Sequence, residues 1–254
     1  MDEHHLYGII GSPLTHSFSK DYFLNKFMKE GISDSEFRNF PISNISELPG
    51  LVDSHQKLIG LSVTIPYKEA VMSFLDVIHP EAEEIGAVNA IKITRDKSSF
   101  RMIGYNTDTF GFSSSLLSQC KVEKGMKALI LGSGGASKAV YFALHKMGFE
   151  IFVISRTKIK EGYLAYSDLT EAFMNEIQLV VNTTPLGMFP EIENLPPIPY
   201  EFLGRGHILF DLIYNPAKTS FLSRGEEQDA KIINGLQMLH QQAERSWSIW
   251  NTGL

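Results

Sequence analysis

The 254-residue chain has one cysteine, Cys120, so an internal disulfide is excluded. No Cys or His cluster surrounds it to hold a metal, and a reducing, cytoplasmic compartment fits best. Cys120 itself reads as a small buried side chain near a helix end. Long hydrophobic runs are also lacking, and none approaches the ~18 residues that a membrane span needs. There is no basic excess, because 23 Lys and Arg stand against 29 Asp and Glu for a formal net charge of −6. Nucleic acid as the main partner calls for a basic face, so this balance argues against it. The start, Met-Asp-Glu-His-His, has none of the basic-then-apolar order of a signal peptide. Internal repeats and low-complexity segments are absent as well. What remains is an ordinary globular composition, long enough for one large domain or two of moderate size.

Short apolar runs at 6–10, 37–42, 58–64, 88–93, 128–131, 151–154, 179–182, 208–212 and 231–233 predict strands. Helical patterns at 18–30, 68–75, 109–118 and 138–147 lie between them. Continuous rather than alternating apolar runs predict strands covered on both faces, hence mainly parallel sheet in an α/β protein. The loops before Asp108 are rich in Ser, Thr, Asn and His, and a βαβ unit begins after it. Two α/β domains are therefore expected, 1–107 with 237–254 and 108–236, with the active site in the cleft between them. The last helix, from Leu236 to about Trp250, carries Leu236, Leu239, Ala243, Trp247 and Trp250 on one face. That stripe reads as packing, the return of the chain to the first domain.

The run Ala128-Leu-Ile-Leu131 leads straight into Gly132-Ser-Gly-Gly-Ala-Ser137 and then a helical stretch. Glycines let the backbone approach a pyrophosphate, and the helix N-terminus adds free amides and a positive dipole. A lone Gly-rich loop can be a plain turn, but the strand before it and the helix after it favour a dinucleotide. NAD enzymes usually carry an acid about 20 residues on. This chain has Ser155-Arg156-Thr157-Lys158 there. An acid would repel a 2′-phosphate, whereas an arginine forks onto one. NADP is favoured over the alternative of a solvated basic loop.

Several polar motifs in the first domain share no helical or strand period, as loops converging on a cleft would. Ser17 and Ser19 are spaced to reach one carboxylate, although such a segment also serves as a helix-capping turn. Lys68 follows Pro66 just past a strand end, a position that on its own reads more often as a solvated helix-start lysine. Asn89 lies in Gly86-Ala-Val-Asn-Ala90, and Asp108 ends Gly104-Tyr-Asn-Thr-Asp108, where it could equally cap a helix.

Taken in order, these motifs resemble the shikimate dehydrogenase family. The set comprises S-x-S at Ser17 and Ser19, V-T-x-P-x-K ending at Lys68, G-A-V-N ending at Asn89 and N-T-D ending at Asp108. It continues with G-x-G-G-A-S from Gly132, N-T-T-P-x-G-M from Asn182, D-x-x-Y-x-P from Asp211 and N-G-L-x-M-L-x-x-Q-A from Asn234. The resemblance implies an N-terminal substrate-binding α/β domain and a Rossmann-like NADP-binding domain. The implied activity is reversible, NADPH-dependent reduction of 3-dehydroshikimate to shikimate in aromatic amino acid biosynthesis, by a monomer or homodimer.

It further implies that Ser17 and Ser19 hold the substrate carboxylate, with help from Tyr214. Thr64, Asn89, Asp108 and Gln242 bind the ring hydroxyls, and Lys68 and Asp108 form the catalytic pair, Lys68 also touching substrate. Gly132, Ser133, Gly134, Gly135, Ala136 and Ser137 wrap the pyrophosphate. Ser155, Arg156, Thr157 and Lys158 meet the 2′-phosphate. Thr183, Thr184, Pro185, Met188, Leu212, Gly235 and Met238 border the nicotinamide side. The chemistry is consistent without the family: a lysine, ordinarily near ~10.4, can move the alcohol proton if its surroundings tune it. No metal is required, because the ammonium can polarise a carbonyl.

Three positions depart from the family's pattern. Ser62 stands where the family usually has Asn, Ala90 where it has a hydroxyl residue, and Ser155 where it has Asn. The first two bear on the bonding around the substrate, the third on the strength of the NADP preference. Two other readings stay open: a quinate/shikimate dehydrogenase using NAD, and a non-catalytic sensor of the same fold.

Overall fold

The computed structural model describes residues 4–12, 14, 18–96, 99–155 and 163–252. Ser17, Arg156, Thr157 and Lys158 lie outside the described residues. The chain divides into two compact units, Met1–Thr107 with Gln242–Leu254, and Asp108–Gln241. The second crossing therefore falls inside the last helix, between Gln241 and Gln242, a few residues beyond the boundary expected from sequence.

The first unit contains β1 (His5–Gly11), α1 (Phe18–Glu30), β2 (Ser35–Pro41), α2 (Leu48–Ser54), β3 (Leu58–Val63), β4 (Val77–Ile78), α3 (Pro80–Ile85), β5 (Ala90–Arg95) and β6 (Phe100–Tyr105). Its sheet runs β2-β1-β3-β5-β6-β4. β1 pairs in parallel with β2 and β3, and β4 with β6, whereas β5 is antiparallel to both of its neighbours. The expected strand at 88–93 begins only at Ala90, which leaves Asn89 in the approach to β5. The expected helix at 68–75 is a 3-10 turn over Ala70–Phe74, with Lys68 in the turn before it.

The second unit contains α4 (Asp108–Gln119), β7 (Lys127–Leu131), α5 (Gly135–Lys146), β8 (Glu150–Ile154), α6 (Glu171–Met174), β9 (Leu179–Asn182), β10 (Ile208–Asp211), α7 (Ser220–Glu226), β11 (Lys231–Ile233) and α8 (Leu236–Asn251), the last shared with the first unit. Its sheet, β11-β10-β9-β7-β8, is parallel throughout. From β7 the chain steps outward to β8 and then returns to β9 on the other side. Strand order thus reverses between β7 and β9, the place where open α/β sheets bind ligands at their strand ends.

Residues of α8 from Gln242 onward complete the first unit's core. Trp250 is buried among Tyr7, Phe23 and Phe37. Gly60 makes room for it, since a Cβ there would stand 2.5 Å from the indole. Glu244 on the same helix binds Lys26 of α1 at 2.9 Å and accepts from the Tyr22 hydroxyl. The stripe read from sequence as packing is so at Ala243, Trp247 and Trp250, while Leu236 is exposed.

Candidate active site

In the first unit the polar residues gather where β3, the approach to β5, the end of β6 and α8 meet. Thr64 follows β3 directly, its amide bonded to the Ile10 carbonyl at 3.0 Å. The next turn is anchored from below, because the buried Tyr67 hydroxyl donates to the Ile42 carbonyl at 2.8 Å. Lys68 is half-buried on that turn, and its carbonyl accepts from the Val88 amide at 2.8 Å. The Lys68 turn and the Gly86–Asn89 segment are thereby tied together. Asn89 is held on both sides, its carbonyl accepting from Val63 at 2.8 Å and its amide donating to Tyr105 at 3.0 Å.

The Asn89 side chain then meets Thr107 reciprocally. The Thr107 amide donates to Asn89 Oδ1 at 2.6 Å, and Asn89 Nδ2 donates to Thr107 Oγ1 at 3.0 Å. Gln242 joins through its Oε1, 3.4 Å from Thr107 Oγ1. Ser246, one helical turn later, lies 3.0 Å from Thr107 Oγ1 and donates to the Gln242 carbonyl at 2.8 Å. Thr107 and Ser246 are almost wholly buried. A buried polar cluster of this kind survives only when its members satisfy one another, and that fixes their orientation. Sequence reading gave neither residue a role; the only signal for Ser246 is its i+4 spacing from Gln242.

Ser19 is buried in the first turn of α1. Ser62 and Ala90, the two departures nearest the substrate motifs, stand directly opposite each other between β3 and β5, and both are buried. They therefore change the same patch of the sheet.

In the second unit Asp108 is buried at the start of α4. Gly132 leaves β7 with φ +111°, a conformation L side chains rarely adopt, and a Cβ there would stand 2.7 Å from Thr183 Oγ1. Gly134 is the N-cap of the 12-residue α5, and among the described residues no side chain caps the helix. A Cβ added at Gly134 would meet nothing within 4 Å. Uncapped amides behind an open glycine suit a pyrophosphate, so the loop fits a dinucleotide. Ser137 closes the loop by donating to the Gly132 carbonyl at 2.8 Å. Gly135 and Ala136 form the half-buried first turn. Ser133 and Ser155 pair through their hydroxyls at 3.1 Å, linking the glycine loop to the end of β8.

Thr183 donates from both its amide and its hydroxyl to the Leu131 carbonyl, at 3.0 and 2.7 Å, which holds the turn after β9 against the end of β7. Pro185 and Met188 are exposed on that turn, and Thr184 is half-buried. Leu212 and Tyr214 are half-buried in the segment after β10. Gly235 packs on that segment closely enough that a Cβ would stand 2.0 Å from the Leu212 carbonyl oxygen. Met238 is in the core with Phe112, Phe210 and Ile233. Asp211, to which sequence reading gave no role, ends β10 fully buried.

Residues 9–91 match the shikimate dehydrogenase substrate binding domain. The chain is 37% identical to the shikimate dehydrogenase (NADP(+)) of Aquifex aeolicus over 257 aligned residues, which cover 97% of this chain and 91% of that protein. Shikimate dehydrogenase 1 of Peptoclostridium difficile has a similar structure, with a TM-score of 0.84 at 36% identity over 98% of this chain and 93% of that one. The Thermus thermophilus shikimate 5-dehydrogenase solved with NADP(H) and shikimate gives 0.83 at 30% identity, covering 98% and 94%. With identity of this level along nearly its whole length, this chain belongs to the shikimate dehydrogenase family.

Proposed function

We propose that this protein is an NADP-linked shikimate dehydrogenase of the cytoplasm, reversibly reducing 3-dehydroshikimate to shikimate. The observation that carries the reading is the bonded cluster of Asn89, Thr107, Gln242 and Ser246. It belongs to the unit whose residues 9–91 match the substrate-binding domain. A polyhydroxylated ring needs fixed donors and acceptors, and a locked amide pair supplies both.

NADPH, when bound, supplies the hydride. Every other task falls to the chain's own residues. Ser17 and Ser19 take the carboxylate with neutral hydroxyl donors, Tyr214 assisting. Thr64, Asn89 and Gln242 orient the ring hydroxyls. The Lys68 ammonium gives its proton to the substrate oxygen as carbon is reduced, and takes it back in the reverse direction. Asp108, the other member of the catalytic pair, accepts a hydrogen bond from substrate and so aligns the proton transfer. The pyrophosphate rests on 132–137, and Arg156, with Ser155, Thr157 and Lys158, meets the 2′-phosphate, where a guanidinium fork is favourable. Thr183, Thr184, Pro185, Met188, Leu212, Gly235 and Met238 border the nicotinamide side.

The test is an absorbance assay for reduced cofactor that crosses shikimate and quinate with NADP and NAD. Shikimate with NADP should give the highest kcat/KM. A preference for quinate or NAD would reassign the substrate or cofactor, and no turnover with any combination would favour a sensor.

A further inference from the structure

Asp211 has 0% exposure, an unusual place for a carboxyl group, and the proton transfer above does not use it. Its oxygens are divided between two tasks. Oδ1 accepts from Asn182 Nδ2 at 3.1 Å and from the Ile213 amide at 3.0 Å. Oδ2 accepts from the Thr219 hydroxyl at 2.6 Å, and Thr219 in turn caps α7 through the Leu222 amide. Asp211 and Asn182 are the paired last residues of β10 and β9, and Asn182 pairs on its other side with Leu131, the last residue of β7.

An acceptor at Oδ1 allows Asn182 only one amide orientation, nitrogen toward Asp211. The Asn182 oxygen is then aimed at the turn after β9, where it accepts from the Thr184 amide at 3.0 Å and the Thr184 hydroxyl at 2.7 Å. Nδ2 also reaches the Leu186 carbonyl at 3.4 Å. The bond to Ile213 sets the backbone leading to Tyr214, and the Ile213 carbonyl accepts from Gly235 at 3.0 Å. One buried carboxyl thus orders the 183–188 turn, the 212–214 segment and, through it, Gly235.

We propose that Asp211 is a positioning residue for the nicotinamide end of the cofactor, acting through the amide of Asn182 and the backbone of Ile213. This rests on the reading of Thr183, Thr184, Pro185, Met188, Leu212 and Gly235 as the nicotinamide side. Burial outweighs the three donors and pushes the Asp211 carboxyl up to about 7. The fold thus retains a group that destabilises it when ionised. Both charge states keep the cofactor-side arm, because a proton on Oδ2 leaves Oδ1 as an acceptor.

The test measures NADPH dissociation constants by reduced-nicotinamide fluorescence, on full-length protein without substrate, beside thermal melts. Asp211→Ala should weaken NADPH binding about tenfold or more. Asp211→Asn keeps an oxygen facing Asn182 and Ile213 and should bind like wild type. Thr219→Val removes only the α7 arm and should lower the melting temperature without changing NADPH affinity. If Asp211→Ala does not fold, Asn182→Leu should show the same loss of affinity. Wild-type affinity in a folded Asp211→Ala or Asn182→Leu protein would overturn the proposal. So would an affinity loss in Thr219→Val as large as in Asp211→Ala, since affinity would then merely follow stability. A wild-type protein that does not bind NADPH would overturn the cofactor reading and this inference with it.

Discussion

Replacing Asp211 with asparagine should stabilise the protein, and by an amount that depends on pH in a defined direction. In the folded chain burial raises the carboxyl from its ordinary 3.8 to about 7. The unfolded chain releases the proton near 3.8, so between the two values the folded state holds a proton that the unfolded state lacks. Folding stability must then fall as pH rises through this window and level off above about 7. With each pH unit worth about 1.36 kcal/mol, the wild type forfeits about 4 kcal/mol between about pH 4 and pH 8. Asparagine mimics the protonated acid and has nothing to titrate. Its oxygen can accept from Asn182 and Ile213, and its NH2 can donate to the Thr219 hydroxyl.

Tyr200 and Arg224 belong to the same electrostatic neighbourhood. Burial and the nearby Asp211 drive the Tyr200 hydroxyl far above its usual range, so it stays neutral across the window. Groups common to both proteins cancel in the difference. The assay is urea unfolding of wild type and Asp211→Asn at several pH values without cofactor, followed by circular dichroism. Tryptophan fluorescence is unsuitable because the two tryptophans, Trp247 and Trp250, lie in the other unit. Asp211→Asn should gain on wild type as pH rises. A difference that is constant, or that shrinks with rising pH, would refute the argument that Asp211 is protonated at acid pH in the folded chain.

Three further outcomes follow from the site. Arg156→Ala should raise the KM for NADP about tenfold to a hundredfold, a charge-assisted contact being worth roughly 1.5–3 kcal/mol, and leave that for NAD nearly unchanged; steady-state kinetics with both cofactors would check this. Gly235→Ala forces a methyl to within 2.0 Å of the Leu212 oxygen, an overpacking that costs roughly 1–3 kcal/mol; thermal melting should show the loss, and NADPH titration a weaker complex. Ser246→Ala removes two neutral hydrogen bonds, to Thr107 and to the Gln242 carbonyl, each worth about 1 kcal/mol, so the shikimate KM should rise about fivefold or more while NADPH affinity, measured by fluorescence, stays constant.

Legibility in the sequence followed how local the signal was. The β7–α5–β8 unit could be read because an apolar strand, a glycine turn and a helix follow one another without interruption. The helix α3 carried its own punctuation, proline at its start and Gly86 in the left-handed region at its end, yet its six residues are too few to show a period. β6, with Arg101 and Gly104 among its apolar residues, gave neither a continuous nor an alternating pattern, and its identity as a strand comes from pairing with β5. Lys68 was recognised as a residue, but its turn owes its shape to Tyr67 reaching Ile42 and to Val88 bonding the Lys68 carbonyl, contacts distant in sequence. The Asn89–Thr107–Ser246 cluster and the Asn182–Asp211–Thr219 chain were hidden for the same reason. They exist only once strand order has brought their members together.

The central claim is that Lys68 transfers the substrate proton and Asp108 aligns it. It is tested most directly by the turnover of Lys68→Ala, Asp108→Asn and the double variant with shikimate and NADP across about pH 6 to 10, proteins first shown folded by circular dichroism. Loss of the proton-transfer group should depress kcat by ~10²–10⁴ for Lys68→Ala, far more than it raises the shikimate dissociation constant. Asp108→Asn should lower kcat with some loss of binding, and the double variant should cost much less than the product of the single effects, because the two act as a unit. A folded Lys68→Ala protein with near-normal turnover across that range would contradict the account.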